Sequence, residues 1–479
     1  MTKTTLPSLA AAGLFAFTAM SGQAFAQGDS GALLDALVRK NILSSQEAED
    51  IRADLVRENA ATNAGKIQLA SSITELKLSG DLRLRYQYDN RKDVDVNPGG
   101  PGAGFPQHGA QRSRERFRLR LNADFKLGSD FFGGVQLQTG NAADSANQTF
   151  GNGFNNYNIY ISRAYLGWNA TGWLTVIGGK QPNPFYTTDL VWDSDINPDG
   201  FVERIDFHKL FSSFGTETVS YSDGKTVASA SSSVRVAPPW ELSLVAGQFI
   251  YTDNNEDAFD NDSSTDAWLF TTQVLGSYRF GNGVKATFAP GVMLYTAADV
   301  SGVTNETPYN APGGTRNLAI VTAPGDVQFK VAGLKTKVLW DFAYNTKGNA
   351  RAEEIYGLTG IGTTAGHSSR DNMAWLAGVQ IGENKAKGDW SLIANYRQTG
   401  LAAVDPNLND SDFALGKVNT HGFKIGAAYN VTDFCVLAAT YFDGRSLRKN
   451  LYGGDSTGGA KLASANSVQI FQLDLNVKF

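Results

Sequence analysis

The sequence predicts an all-β fold, a transmembrane antiparallel β-barrel of about 16 strands that follows a short N-terminal helical segment. Three observations predict it: long strands alternate apolar and polar residues, short turns alternate with long polar segments, and the chain ends on an amphipathic strand. The composition agrees, with 51 Gly, 28 Phe, 17 Tyr and 8 Trp. The net charge of −5 is mild and gives no reason to expect nucleic acid as a partner.

Residues 1–26 are predicted to be a signal peptide. Lys3 precedes an apolar run at 9–20, and Ala24 and Ala26 fit an A-x-A cleavage site. The mature chain would begin at Gln27, and beyond the signal no stretch of 18 apolar residues predicts a transmembrane helix. The single cysteine, Cys435, excludes an intramolecular disulfide framework.

Residues 31–58 are the one region with helical periodicity. Ser44 and Glu47 have the spacing of a capping box. Residues 60–72 look like a linker, so 27–72 is predicted to be a helical segment with its linker. Either a small packing element or a coiled-coil stalk fits the pattern. The apolar positions at helical spacing are Leu33, Leu34, Leu37 and Val38, then Ala48, Ile51, Leu55 and Val56.

From Ile73 to the C-terminus, residues 73–479, the period is two. In "ELKLSGDLRLRYQYD" the leucines and tyrosines occupy one face, and Lys77, Arg83 and Arg85 lie on the other. The next strand carries Phe117, Leu119, Leu121, Ala123, Phe125 and Leu127 on one face and arginines on the other. A dozen strands of this kind indicate a barrel with an apolar outer face and a polar lumen.

Aromatic girdles supply a length test. In "AWLFTTQVLGSYRF", Trp268 and Phe270 lie at one end of the outward face and Tyr278 and Phe280 at the other. Ten steps of about 3.3 Å, tilted by about 40°, project to roughly 25 Å, the height of the apolar band of a membrane barrel.

Turn lengths predict the strand number. Eight long polar segments imply eight hairpins and therefore about 16 strands. Residues 201–239 are long for one strand, and an extra pair there would give 18. Either number leaves an aqueous lumen. The long segments are 93–110, 141–156, 181–199, 253–265, 299–314, 347–370, 401–419 and 444–466.

The last strand, "SVQIFQLDLNVKF", places Phe471, Leu473, Leu475, Val477 and Phe479 on the lipid face. With this ending, the chain resembles the Gram-negative outer-membrane porins, in particular the porin group with a short helical segment before the barrel, here "ALLDALVRKNILSSQEAEDIRADL". It departs from that group in the Ser-rich tract 212–233. The resemblance implies a multi-pass outer-membrane channel for passive diffusion of small hydrophilic solutes and ions. It also implies a homotrimer in the lipid of the outer membrane. The acidic segment 253–266 is the candidate for contact with lipopolysaccharide through shared divalent cations, and no cofactor is expected.

The stretch "DLVWDSDINPDG" (189–200) contains four aspartates. In porins the third long loop folds inward and narrows the pore, and here that loop is about 181–200. The resemblance therefore implies a constriction formed by Asp189, Asp193, Asp195 and Asp199 opposite a basic wall. Carboxylates facing guanidiniums across water would create a transverse field. The predicted wall residues are Lys77, Arg83, Arg85, Arg114, Arg116, Arg118, Arg120, Arg163 and Lys180.

Calcium is the alternative explanation of these aspartates. An EF-hand loop starting at Asp193 would need Gly at its sixth and Glu at its twelfth position, where the chain has Pro198 and Arg204. A generic carboxylate site stays open, as does divalent-cation binding by the acidic segment 253–266. The preferred expectation is no metal site.

Other functions are weighed against the channel. His108, His367 and His421 lie in or beside outer loops and no H-E-x-x-H helix occurs, so we expect no enzyme. A substrate-specific channel for a sugar or an anion is the nearer rival, with Tyr165 and Arg163 as a candidate pair. A structural or adhesive barrel would need a lumen plugged by apolar side chains. The solute, the pore radius and the sign of ion selectivity stay open.

Overall fold

The computed structural model describes residues 34, 37–40, 42–61, 69–92, 110–211, 216–221, 230–235, 238–253, 266–281, 283–296, 316–358, 369–448 and 467–479. The predicted signal peptide lies outside the described residues. The chain divides into two units, 1–70 and 71–479.

The first unit contains helix α1 (Ser45–Ala61), whose N-terminus is closed by the capping box. The Glu47 carboxylate accepts hydrogen bonds from the Ser44 backbone N–H at 2.9 Å and from the Ser44 hydroxyl at 2.8 Å. In return, the Glu47 backbone N–H donates to Ser44 Oγ at 3.2 Å. These bonds satisfy backbone donors that the helix itself cannot. In the described part of the chain, no helix combines the length and apolarity needed to cross a membrane.

The second unit consists mainly of strands. They are β1 (Ile73–Lys92), β2 (Ala110–Leu127), β3 (Phe131–Thr139), β4 (Gln148–Thr149), β5 (Ile159–Asn169), β6 (Leu174–Lys180), β7 (Asp199–Asp206), β8 (Thr216–Tyr221), β9 (Ala230–Arg235), β10 (Trp240–Thr252) and β11 (Ala267–Arg279). There follow β12 (Lys285–Phe288), β13 (Gly291–Tyr295), β14 (Ala319–Thr322), β15 (Gly325–Val331), β16 (Leu334–Asn345), β17 (Met373–Gly382), β18 (Trp390–Thr399), β19 (Thr420–Asn430), β20 (Cys435–Ser446) and β21 (Ser467–Lys478). Short helices α2 (Phe207–Leu210) and α3 (Gly348–Leu358) and 3₁₀ turns at Ser369–Asn372 and Ala414–Gly416 lie between them.

Nineteen strands form one antiparallel sheet, and β1 closes it by pairing with both β2 and β21. β12 and β13 both pair with β11, one after the other along its length, and β14 and β15 pair with β16 in the same way. β12 with β13, and β14 with β15, therefore each count as one interrupted strand of the barrel. The interruptions fall at Pro290 and Pro324, which have no N–H for the ladder. With β4 continuing β3 along β2, the result is the predicted closed barrel of 16 strands.

The alternative of 18 strands is wrong. β7 pairs directly with β10, which leaves no place between them in the wall. The hairpin of β8 and β9 forms a separate two-stranded sheet.

The predicted faces of the wall are confirmed. Leu78 and Leu84 are 59% and 45% exposed on the outer face, whereas Arg85, the residue after Leu84, is 5% exposed. Tyr278 and Phe280 are also exposed, at 44% and 46%. On these strands the alternation places apolar residues against lipid, and on β1 it places Arg85 inside.

The prediction of a polar lumen needs a correction, because part of the inner wall is apolar. Val202, Val245, Phe249, Leu269 and Met293 are buried and join one apolar cluster. They lie on the inward faces of β7, β10, β11 and β13. The cluster also contains residues from the loops that follow β6 and β18.

Candidate functional site

The third outer loop, residues 181–198 (loop 3), leaves the wall after β6 and returns at β7. Gly179 and Gly200 face each other across its base, with φ of 113° and 152°. A Cβ on Gly179 would lie 2.4 Å from the Ala164 carbonyl oxygen, and one on Gly200 2.1 Å from that of Gln248. Only glycine therefore fits where the chain turns away from the wall.

One side of loop 3 is anchored on the apolar part of the wall. Leu190, Val191 and Trp192 are 1–3% exposed, and the Trp192 ring packs edge-on against Phe249. The Thr188 hydroxyl donates to the Asp341 carboxylate at 2.7 Å on the wall. Since the apolar residues face the wall, the aspartates of "DLVWDSD" face the other way.

On that other side, Asp195 approaches the arginine wall. Its carboxylate lies 3.4 Å from the Arg120 guanidinium and 3.8 Å from that of Arg118. Both arginines also pair with Asp81 of β1, at 2.7 and 2.8 Å. The loop carboxylate thus joins ion pairs that the wall already contains.

The seventh outer loop, residues 400–419 (loop 7), also packs inside the barrel, which was not predicted from the sequence. Leu401, Ala402 and Val404 are at most 1% exposed and belong to the apolar cluster. The Ser411 backbone N–H donates to the Asp193 carboxylate at 3.1 Å, which joins loop 7 to loop 3. A sequence signal existed, because the tripeptide Asp-Ser-Asp of 193–195 recurs at 410–412.

Loop 7 brings two carboxylates to wall cations. Arg85 lies 3.3 Å from Asp412 and bonds both oxygens of Asp474 on β21, at 2.7 and 2.8 Å. Arg397 of β18 lies 2.7 Å from Asp410. These partly buried, charge-assisted contacts hold loop 7 in place on the polar side.

The loop aspartates differ in acidity. Lys424, 2.6 Å away, lowers the pKa of Asp189 to about 2. Burial and the nearby Asp410 charge raise the pKa of Asp193 to about 7. Burial also raises the pKa of Asp410. At neutral pH, Asp193 is therefore the loop 3 carboxyl poised to change charge.

We call the residues around a cavity of about 120 Å³ between the two loops and the wall the charged cluster. A cavity of about 650 Å³, lined by Trp192, Tyr251 and Asn407 among others, shares Asp144 and Ser411 with it. Another cavity of about 390 Å³ lies at the Tyr186 end of loop 3, by the inner ends of β7 and β10. The charged members of the cluster are Arg83, Arg118, Asp144, Asp189, Asp193, Asp195, Asp410, Asp412 and Lys424.

The structure thus brings together Arg83, Arg118, Asp189, Asp193 and Asp195 around one cavity. Arg85 and Arg120 contact aspartates of this cluster from the wall. Most of these charges are paired at short distance, whereas the prediction was that they face each other across open water.

The other predicted residues lie elsewhere. Arg163 bonds the Asn197 amide oxygen at 2.8 Å near the base of loop 3, and Lys180 pairs with Asp199 at 2.8 Å beside the 650 Å³ cavity. Arg114 pairs with Asp89 at 2.9 Å, and Lys77 is exposed opposite Asp124 in the strand register.

Arg116 bonds only the Gln87 amide among the described residues, at 3.1 Å. Tyr165, the predicted partner of Arg163, lies on the same inward face and is partly buried.

No metal site is found within the described ranges, where no group of three or more His, Cys, Asp or Glu could hold an ion. Residues 254–265 of the acidic segment lie outside the described residues.

Comparison with known proteins decides the family. A family described as "Putative porin" matches residues 16–333 and 320–479. The chain belongs to this porin family. It is therefore a multi-pass outer-membrane β-barrel, and family and fold point to a channel rather than an enzyme. No curated protein gives a significant match.

Solved structures with a similar fold are outer-membrane proteins at low identity. The outer membrane channel DcaP of Acinetobacter baumannii is 13% identical, with 87% of this chain and 100% of that chain covered and a TM-score of 0.42. OprB of Pseudomonas putida at high pH is 11% identical, with 84% and 94% covered and a TM-score of 0.45. OmpF of Salmonella typhi in complex with daunomycin is 10% identical, with 86% and 100% covered and a TM-score of 0.43. At these identities and TM-scores, the similarity concerns the fold alone, and the solutes of those proteins are not assigned to this chain.

Proposed function

We propose that this porin is a narrow channel for passive diffusion of small hydrophilic solutes and ions, with loops 3 and 7 forming its constriction. The observation that carries the proposal is the convergence of both Asp-Ser-Asp turns on the wall arginines. Asp195 contacts Arg118 and Arg120 from loop 3, and Asp412 contacts Arg85 from loop 7.

The size of the cavities supports a filter at this level. The charged cluster encloses about 120 Å³, whereas the neighbouring vestibule on the outer-loop side has about 650 Å³. At about 30 Å³ per water molecule, the smaller cavity corresponds to roughly four waters. Ions and compact polar solutes fit such a passage, and apolar solutes would have to displace water bound to charges.

Charge supports mild selectivity. Most carboxylates of the cluster are paired with arginine or lysine, so the field along the path is weaker than the number of charges suggests. Among the described residues, Asp144 and Asp193 are the exceptions, since neither has an ion pair with arginine or lysine. Hydrogen-bond donors contact the Asp193 carboxylate instead.

A substrate-specific channel is the second candidate. The pairing of charges at 2.6 to 3.8 Å favours it, because a solute would have to exchange contacts with them rather than pass through open water. A homotrimer stays a prediction from the resemblance, and contact with lipopolysaccharide stays a prediction from the acidic segment 253–266.

Single-channel recording of the refolded protein in a planar bilayer under a KCl gradient tests the proposal. We expect small stable steps with a mild reversal potential. Steps abolished by one class of solute would favour the substrate-specific channel. A folded, heat-modifiable barrel without any conductance would refute both and favour a structural barrel.

A further inference from the structure

Within the described part of the chain, Arg116 differs from most arginines of the β1–β2 wall because no carboxylate lies within ion-pair distance of it. Arg85, Arg114, Arg118 and Arg120 each lie within 4.0 Å of a carboxylate. Arg116 donates one hydrogen bond, from Nη1 to the neutral Gln87 side chain, and its buried Nε has no acceptor in the described structure. A guanidinium has five N–H donors, so this one keeps most of its capacity to bind an anion.

Arg116 lines a cavity of about 310 Å³ beneath the second outer loop, residues 140–158. The other polar groups around it are neutral, and none of the described lining residues carries a carboxylate. Asn147 and Ser145 also line the charged cluster's cavity, so the two cavities adjoin. The polar lining includes Asn141, Ser145, Asn147, Thr149 and Asn152.

A solute that arrives from outside reaches this cavity before it reaches the constriction. Arg116 is one inward-facing position closer to the outer end of β2 than Arg118, which contacts Asp195 of loop 3. Arg83 also has no ion pair with any described residue, but it faces the aspartates of the charged cluster, where an anion would be repelled.

We propose that this cavity is a capture site for a small hydroxylated monocarboxylate, such as a sugar acid. The single guanidinium matches one carboxylate, which it can bind through two parallel hydrogen bonds. Side-chain amides and hydroxyls both donate and accept, as the hydroxyl groups of such a solute require. The volume is at the lower end of small-ligand sites, about 300 to 1,000 Å³. The proposal rests on the channel function above.

The test uses sodium gluconate as the probe, with glucose and sodium acetate as probes that carry only hydroxyl groups or only a carboxylate. Each is added to both chambers during single-channel recording in KCl. We expect gluconate to interrupt the current at a concentration at least about tenfold lower than either control probe.

Arg116→Gln should raise the half-blocking gluconate concentration by roughly tenfold or more, because a charge-assisted contact is lost. Arg112→Gln is the matched control: it removes the same charge from the same strand, outside the cavity, and should keep the block. Asn152→Ala, on the exposed loop, should weaken the block without touching the wall.

Block by gluconate no stronger than by glucose or acetate would overturn the capture site, and so would full block of Arg116→Gln. In either case, intact KCl steps would leave the channel function standing. Absence of KCl steps from the wild-type protein would instead refute the channel itself.

Discussion

Replacement of Asp195 by asparagine tests whether loop 3 sets the ion selectivity. Arg118 and Arg120 share two carboxylates, Asp81 and Asp195. In the Asp195→Asn variant, Asp81 is the one carboxylate that these two arginines keep. The volume of the side chain at position 195 hardly changes. The charged cluster therefore becomes more positive by one unit charge, which favours chloride over potassium.

The size of the effect follows from Coulomb's law. For an ion passing about 7 Å from the lost charge in water, the energy changes by about 0.6 kcal/mol. Screening in about 0.1 M KCl halves this value, because the Debye length is about 10 Å. The changes for potassium and chloride have opposite signs, so their difference is about 0.6 kcal/mol. The potassium-to-chloride permeability ratio should fall roughly threefold.

The assay is the reversal potential of single channels in a KCl gradient around 0.1 M. Asp199→Asn is the matched control, since it makes the same change on a carboxylate that is paired with Lys180 and 56% exposed beside the wide vestibule. We expect a clearly smaller shift for this control. An unchanged reversal potential in Asp195→Asn, or an equal shift in Asp199→Asn, would refute the constriction.

Three further predictions concern loop 3. The Asp193 carboxyl, with its pKa of about 7, is neutral at pH 6 and ionised at pH 8, so potassium preference should rise with pH around a midpoint near 7. Asp193→Asn should remove this step from the plot of reversal potential against pH, and a persisting step would assign it to another group. Trp192→Ala should remove about 3–5 kcal/mol of packing from the loop anchor and give larger, flickering conductance steps. Trp168→Phe on the lipid face should keep wild-type steps, and equal behaviour of the two variants would contradict the anchor. Gly200→Ala should lower the yield of heat-modifiable barrel on unboiled gels, since its Cβ would meet a carbonyl oxygen at 2.1 Å. Gly128→Ala, also at positive φ but in open space, should lose less yield, and an equal loss would exclude the clash as the cause.

Local patterns in the sequence were sufficient for the barrel itself. The side of the wall on which a residue lies depends only on the period of two, so Leu84 outside and Arg85 inside could be predicted from neighbouring residues. The lengths of loops and turns predicted the number of barrel strands. Only at 201–239 did length mislead, because the length of a segment does not show whether its strands pair with the wall or with each other.

The constriction needed the tertiary structure. The sequence contains Asp-Ser-Asp in loop 7 as well as in loop 3. However, the alternation of apolar and polar residues along the strands does not show that a loop folds inward. That outcome depends on apolar contacts between segments far apart in the chain, such as Trp192 against Phe249. The partners of the charges depend on the same contacts, as in Arg85 with Asp412 and Asp474. The sequence therefore determined which side chains face the lumen. Long-range packing decided which of them come into contact, because the distance between two residues across the lumen depends on how the whole barrel closes. Residues adjacent in the sequence do not fix that distance.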